Sequence, residues 1–203
     1  MKNLLILSTT LLCLSLTACG PSQKVSRVAA DTQTDLSGKW NDTDARLVAE
    51  EMIQDAIEKP WLSRFTDSHN NEVPVAIVGR VRNETMEHID TEVFTKEMER
   101  AFINSGMVSV VASSDERAQL RDERQDQQSN ASYESTKALA QELGADFMLI
   151  GNISSILDEN LSGKEAAIFY TVNLELVNVE TNQKVWIGNK KIKKMIDRKR
   201  YRG

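Results

Sequence analysis

The sequence predicts an α/β fold: a compact sandwich with a mixed sheet, helical crossovers and a C-terminal antiparallel three-strand meander. Apolar residues recur at helical spacing over residues 44–59 and 91–105. Two apolar runs, residues 73–81 and 146–153, are separated by helical segments, as crossover connections require. Two alternating segments, residues 168–179 and 184–193, close the chain around a connection too short for anything but a hairpin.

Each element has its own warrant. In residues 44–59, Leu47, Val48, Met52, Ile53, Ala56 and Ile57 form one stripe, leaving Glu50, Glu51, Gln54 and Glu58 for solvent. Asn41, Asp42 and Thr43 offer N-caps, and Pro60 ends the helix. Trp61, Leu62 and Phe65 then read as a short packed turn. The run at residues 73–81 suits a strand covered on both faces, with Pro74 tolerable only near its start or at an edge. The helix at residues 91–105 carries Val93, Phe94, Met98, Ala101 and Phe102, and Gly106 is a natural C-terminal cap.

Residues 108–111 form a short strand, and Ser113 or Ser114 opens a very polar helix over residues 115–127. A break at residues 128–132 leads to a further helix ending at Leu143 and Gly144. Residues 146–153 read as a central strand. In the closing segment Tyr170, Val172, Leu174 and Leu176 share one parity, opposite Thr171, Asn173 and Glu175, so one face is covered and the other is wetter. Residues 180–183 form a tight connection, and residues 158–164 a looser one with Gly163 at its tip.

Compartment is written in the first twenty residues. Lys2, the apolar run 4–16 and Leu16-Thr17-Ala18 before Cys19 form a lipoprotein export signal over residues 1–18, with Cys19 as the acylated residue. The apolar segment is about 13 residues against the roughly 20 that span a bilayer. Gly20 stands where aspartate would retain an enteric lipoprotein in the inner membrane, so the expected location is the outer membrane, with the domain facing the periplasm. Cys13 leaves with the signal and Cys19 carries lipid, so no cysteine remains for a disulfide, thiolate chemistry or an iron–sulfur site. The expected organisation is therefore signal 1–18, lipidated cysteine and flexible leader 19–39, α/β domain 40–193 and basic tail 194–203.

Charge is segregated. Residues 190–203 hold eight bases against one acid, whereas the rest of the processed chain holds 29 acids and 16 bases. Such a tail suits anionic lipid, an anionic wall polymer or an acidic partner, and equally a solubilising end. Nucleic acid is not an expected partner in this compartment.

No catalytic constellation emerges. His69 and His88 lie in polar loops, and Glu84, Glu87, Asp90 and Glu92 near His88 match no metal loop and read as a solvated acidic face. Gly144, Gly151 and Gly163 make no phosphate-binding fingerprint, and no serine sits in a nucleophile elbow. Neither enzyme activity, nor a cofactor, nor a metal is expected. For a binding module the informative segment is residues 80–90, a loop leaving a buried strand. Arg80 and Arg82 can pair with carboxylates or phosphates, Asn83 and Thr85 offer directional hydrogen bonds, and Glu84 completes the candidate partner-binding set. Asn83 and Thr85 can instead close the loop on itself. Trp61, Phe65 and Tyr133 are alternative anchors that core packing explains equally well, and Trp186 reads as a lock for the closing strand.

Residues 75–85, the helix end 101–106, the stretch 143–151 and the closing 176–186 with Thr181 and Trp186 resemble the LpoB-like family of outer-membrane lipoproteins. Residues 36–44 are similar to stretches in its broader branch, so the resemblance covers roughly residues 36–193. It implies a non-enzymatic adaptor that binds and stimulates a peptidoglycan synthase, a penicillin-binding protein. The alternatives are a structural or assembly lipoprotein of an envelope or cell-surface complex, and a wall-polymer or small-ligand sensor. The chain departs from the family in its leader, which holds one proline, Pro21, and whose 20 residues span at most about 65 Å. The basic C-terminal end is a second departure.

Overall fold

A computed structural model describes residues 25–29, 31–130 and 144–198. The chain divides into two units, residues 1–32 and 33–203. In the first, the described residues are irregular apart from a turn closed by the Thr32 N–H on the Ala29 carbonyl (3.1 Å). The signal segment, Cys19 and the expected helix before Leu143 fall outside the described residues.

The second unit builds four described helices and one five-stranded sheet. Helix α1 (Asp42–Ile57) starts two residues before the apolar stripe because Asn41 and Asp44 form a capping box. The Asn41 side chain accepts from the Asp44 N–H at 3.1 Å, and the Asp44 carboxylate accepts from the Asn41 N–H at 3.0 Å. Where the sequence suggests only a packed turn, Pro60–Ser68 is a full helix, α2. Proline at its first position costs no hydrogen bond, and Trp61 and Phe65, one turn apart, both meet the ring of Phe147. Strand β1 (Val75–Glu84) is followed by α3 (Thr91–Ser105), capped by Asp90 and closed by Gly106 at φ 66°. Strand β2 is the pair Ser109–Val110, and α4 (Ser114–Asn130) runs unbroken through the start of the expected break.

Three long strands finish the fold: β3 (Phe147–Glu159), β4 (Glu165–Asn178) and β5 (Lys184–Asp197). All exceed their sequence-level bounds because the antiparallel ladder continues beyond the apolar residues that announce it. Ser154 and Ser155 pair with Thr171 and Tyr170, and the loose connection contracts to a turn. Strand β5 runs past Lys193 to Asp197, so Lys194 belongs to the sheet rather than to a tail.

The strand order is β2-β1-β3-β4-β5. Strand β1 lies parallel to β2 and β3, and the meander β3-β4-β5 is antiparallel, giving the mixed sheet and the α/β class expected. Full burial falls on the face of the sheet turned to α1 and α3, while Val75 and Ile77 on the other side of β1, expected to be covered on both faces, are half-buried. Val48, Ile53, Phe94, Met98 and Phe102 of the helices pack on Leu149, Ile153, Val172, Leu174 and Leu176. Trp186, expected to lock the closing strand into the sheet, joins this core, and its Nε1–H donates to the Asp55 carboxylate at 2.9 Å, tying β5 to α1. Gly188 makes room for that indole: a Cβ there would lie 2.2 Å from the Trp186 ring.

Candidate partner-binding face and loop

The strand parity turned away from α1 and α3 carries half-buried and exposed residues, and β1 reaches this face through an irregularity. The register with β3 shifts between Val78 and Val81. One extra residue inverts the side-chain alternation: Ala76 and Val78 are buried before it, Val81 after it. Arg82 and Glu84 consequently stand on the open face. Their exposed pair, with nitrogen 3.4 Å from oxygen, contributes little to stability and leaves both groups free to exchange partners.

Arg82 is in register with Asn152, Asn152 with Asn173, and Asn173 with Asn189, so one row of polar side chains crosses four strands. Its amides point in a single direction. Asn189 Nδ2 donates to Asn173 Oδ1 (2.6 Å), Asn173 Nδ2 approaches Asn152 Oδ1 (3.5 Å), and Asn152 Nδ2 donates to Glu84 Oε2 (2.6 Å). Beside it runs a row of Ser154, Thr171 and Lys191, then one of Ile156, Phe169 and Lys193. The face thus combines cations, amides and isolated apolar groups such as Ile156 and Met195, both largely exposed.

Beyond Glu84 the chain forms a loop with its own scaffold. Asn83 Oδ1 accepts from the Thr85 N–H (3.0 Å) and hydroxyl (2.8 Å), while Asn83 Nδ2 donates to the Glu87 carbonyl (2.8 Å). The Thr85 hydroxyl oxygen in turn accepts from the Glu87 N–H at 3.1 Å. Asn83 and Thr85 are therefore spent on closing the loop. The Glu87 carboxylate roots that loop in the core: it accepts from the Tyr170 hydroxyl at 2.6 Å and from the Trp40 N–H at 3.2 Å. Burial, reinforced by the neighbouring Glu87 carboxylate, pushes the Tyr170 phenol well above its usual pKa, so Tyr170 acts as a neutral donor. At the tip of this loop Met86 is 99% exposed.

The five sequence-selected residues thus divide by role. Arg82 and Glu84 share the open face, Asn83 and Thr85 shape the loop, and Arg80 sits exposed beside the irregularity, lining a groove between β1 and the start of α4. Trp61 is buried and donates its indole N–H to the Ala56 carbonyl (2.7 Å), and Phe65 stacks on His69 at 4.0 Å, so both are occupied in packing. Tyr133 lies outside the described residues. Among the described residues no group of histidine, cysteine, aspartate and glutamate could hold a metal ion. Sequence reasoning missed the asparagine row, Met86 and the role of Glu87. Only the row left a trace, as asparagines at outward-facing positions of three separate strands.

A family model described as "Peptidoglycan-synthase activator LpoB" matches residues 44–192, which contain every element just described from α1 to most of β5. The chain belongs to the LpoB family. LpoB proteins are non-catalytic outer-membrane lipoproteins whose periplasmic domain activates a penicillin-binding protein. Among solved structures, the chain is similar to the LpoB C-terminal domain from Salmonella enterica, with 17% identity, a TM-score of 0.44 and coverage of 73% of this chain and 98% of that one. The solution structure of Escherichia coli LpoB matches with 16% identity and a TM-score of 0.40, over 88% of this chain and 89% of that one. Lipoprotein GNA1162 from Neisseria meningitidis matches with 15% identity and a TM-score of 0.36, over 60% and 83%. No curated protein matches the sequence.

Proposed function

We propose that this LpoB-family chain stimulates its penicillin-binding protein by docking it on the open sheet face and the adjoining loop. Arg82, Glu84 and Arg80 are the contacts, and Asn83 and Thr85 hold the loop in its bound shape. Stimulation requires differential binding, with the adaptor favouring the active synthase conformation over the inactive one. Cys19 carries the lipid after removal of residues 1–18, and the anchor raises the local concentration of the domain at the membrane. The observation that carries this reading is the placement of Arg82 and Glu84, exposed and weakly paired, at one end of a polar row beside a loop braced from the core.

Co-purification of a bifunctional penicillin-binding protein with the lipidated chain, followed by faster glycan polymerisation in a purified assay, tests the activity. Arg82→Glu tests the face, with an expected loss of at least tenfold in affinity at unchanged thermal stability. Unchanged binding by a folded R82E variant retires that residue. Recovery of an assembly complex without any synthase would instead favour a structural lipoprotein.

A further inference from the structure

The chain just before α1 is not free leader. Residues 34–39 lie along the end of β5 and the start of α1, held by polar contacts. Lys194 is the centre of that attachment: its ammonium donates to the Asp35 carboxylate (2.6 Å) and the Lys39 carbonyl (2.9 Å), and it also pairs with Asp44 (2.5 Å). The Asn41 side-chain amide adds bonds to Asp35 Oδ1 (2.8 Å) and the Thr34 carbonyl (3.2 Å). Gly38, at φ 69°, lets the backbone press on Ile196, where a Cβ would approach to 2.5 Å. Apolar burial plays little part, since Leu36 in the middle of the segment is 95% exposed.

The next residue is held differently. Trp40 packs edge-on against Phe94 and Tyr170, with ring centres 6.1 and 5.6 Å away. Its N–H is accepted by the Tyr170 hydroxyl at 2.9 Å as well as by Glu87. Asn41 then caps α1 through bonds to Asp44 that do not involve the segment. Detachment of residues 34–39 would therefore stop at Trp40. It would also strand no buried charge, because Lys194 keeps Asp44, and both side chains are only 10% exposed.

We propose that residues 34–39 are a releasable strap, pinned by Lys194, that lengthens the membrane tether under load while the domain stays folded. Released and extended, six residues span at most about 20 Å. Trp40 is the stop. The benefit of extra reach rests on the lipid-anchored reading above; the strap itself does not, and in its test force acts through handles on residues 26 and 67, with no synthase present. Weakly held surface segments open at a small fraction of the free energy of global unfolding, which is what a polar strap on an aromatic stop provides.

The test is single-molecule pulling on the processed, lipid-bearing chain in nanodiscs, with force handles on cysteines at Ser26→Cys and Asp67→Cys. A reversible low-force extension of no more than about 20 Å should precede domain unfolding. Asp35→Ala removes an exposed carboxylate without touching the core, and should shift that step to lower force or abolish it while global unfolding stays in place. Lys194→Met should weaken or abolish the step too, but because it leaves the buried Asp44 carboxylate without its ion partner it should also lower the global unfolding force. A wild-type chain with no step separate from global unfolding overturns the proposal, as does a step left unchanged by both variants. Loss of synthase binding in Arg82→Glu is independent of either outcome.

Discussion

At the scale of single residues, function depends on buried groups that hold exposed ones. Glu87 contacts no partner in the proposed complex, yet the loop that displays Met86 is rooted by its carboxylate on Tyr170 and Trp40. Tyr170→Phe leaves that carboxylate with one donor fewer in a part-buried site, which costs about 1–3 kcal/mol. Chemical denaturation should register the loss, and amide hydrogen exchange should accelerate at Thr85 and Glu87, whose N–H groups the loop network protects. Unchanged exchange at both amides would show that the loop holds its shape without the core bond. Tyr170 was legible in the sequence as a core position by its parity with Val172 and Leu174. Glu87 was not: a glutamate in an acidic loop carries no local signature, and its partners lie 47 and 83 residues away along the chain. Arg82 and Glu84 were found as loop residues, but the shift in β1 that turns them onto the sheet face leaves no pattern in a continuous apolar run.

At the scale of elements, ends matter more than middles. The polar helix α4 has few apolar anchors, so its start depends on Glu116. That carboxylate accepts from the Ser113 N–H at 2.8 Å and pairs with Lys96 of α3 at 2.6 Å. The Lys96 ammonium, with help from Ser113, lowers the Glu116 pKa to about 2. A carboxylate depressed in the folded state stabilises it fully above the ordinary value near 4.5 and loses that contribution as pH falls toward 2. Helix α4 should therefore fray between those limits, with amide protection at Arg117 and Ala118 falling first, and Glu116→Gln should make that protection nearly flat with pH. In β5 the sensitive point is Gly188. Gly188→Ala would push against the Trp186 ring and disturb its bond to Asp55, for a cost of about 1–3 kcal/mol by thermal or denaturant melting. The order of helices and strands was readable from periodicity because the apolar stripes are strong. The extra length of β3, β4 and β5 was not, because pairing carries polar residues into strands that hydrophobicity alone would end early.

At the scale of the whole molecule, the span between anchor and domain is the quantity to test. The docked strap leaves only residues 20–33 as leader between a lipidated Cys19 and the domain, at most about 50 Å fully extended. If reach limits the encounter, inserting 20 glycine- and serine-rich residues between Thr32 and Gln33 should raise synthase stimulation in cells severalfold while leaving it unchanged for soluble components in vitro. Equal stimulation in cells would show that the native span suffices. The sequence places the expected anchor at Cys19, after its apolar approach. The docking of residues 34–39 was not legible there, since Thr34, Asp35, Ser37, Gly38 and Lys39 have the composition of a linker and their central attachment is a lysine more than 150 residues downstream.

The position of β5 at the margin of the sheet has a consequence for crowding. Lipid anchoring confines copies of a protein to two dimensions, where lateral collisions are frequent and an unpaired strand edge is a template for cross-chain pairing. Strand β5 ends the strand order and is 14 residues long, so among the described residues no further strand pairs with its outer edge. Lys191 and Lys193 stand exposed on that same strand, and charges so placed oppose edge-to-edge pairing. Part of the basic end that family resemblance leaves unexplained thus lies where charge discourages neighbouring copies from joining into a common sheet.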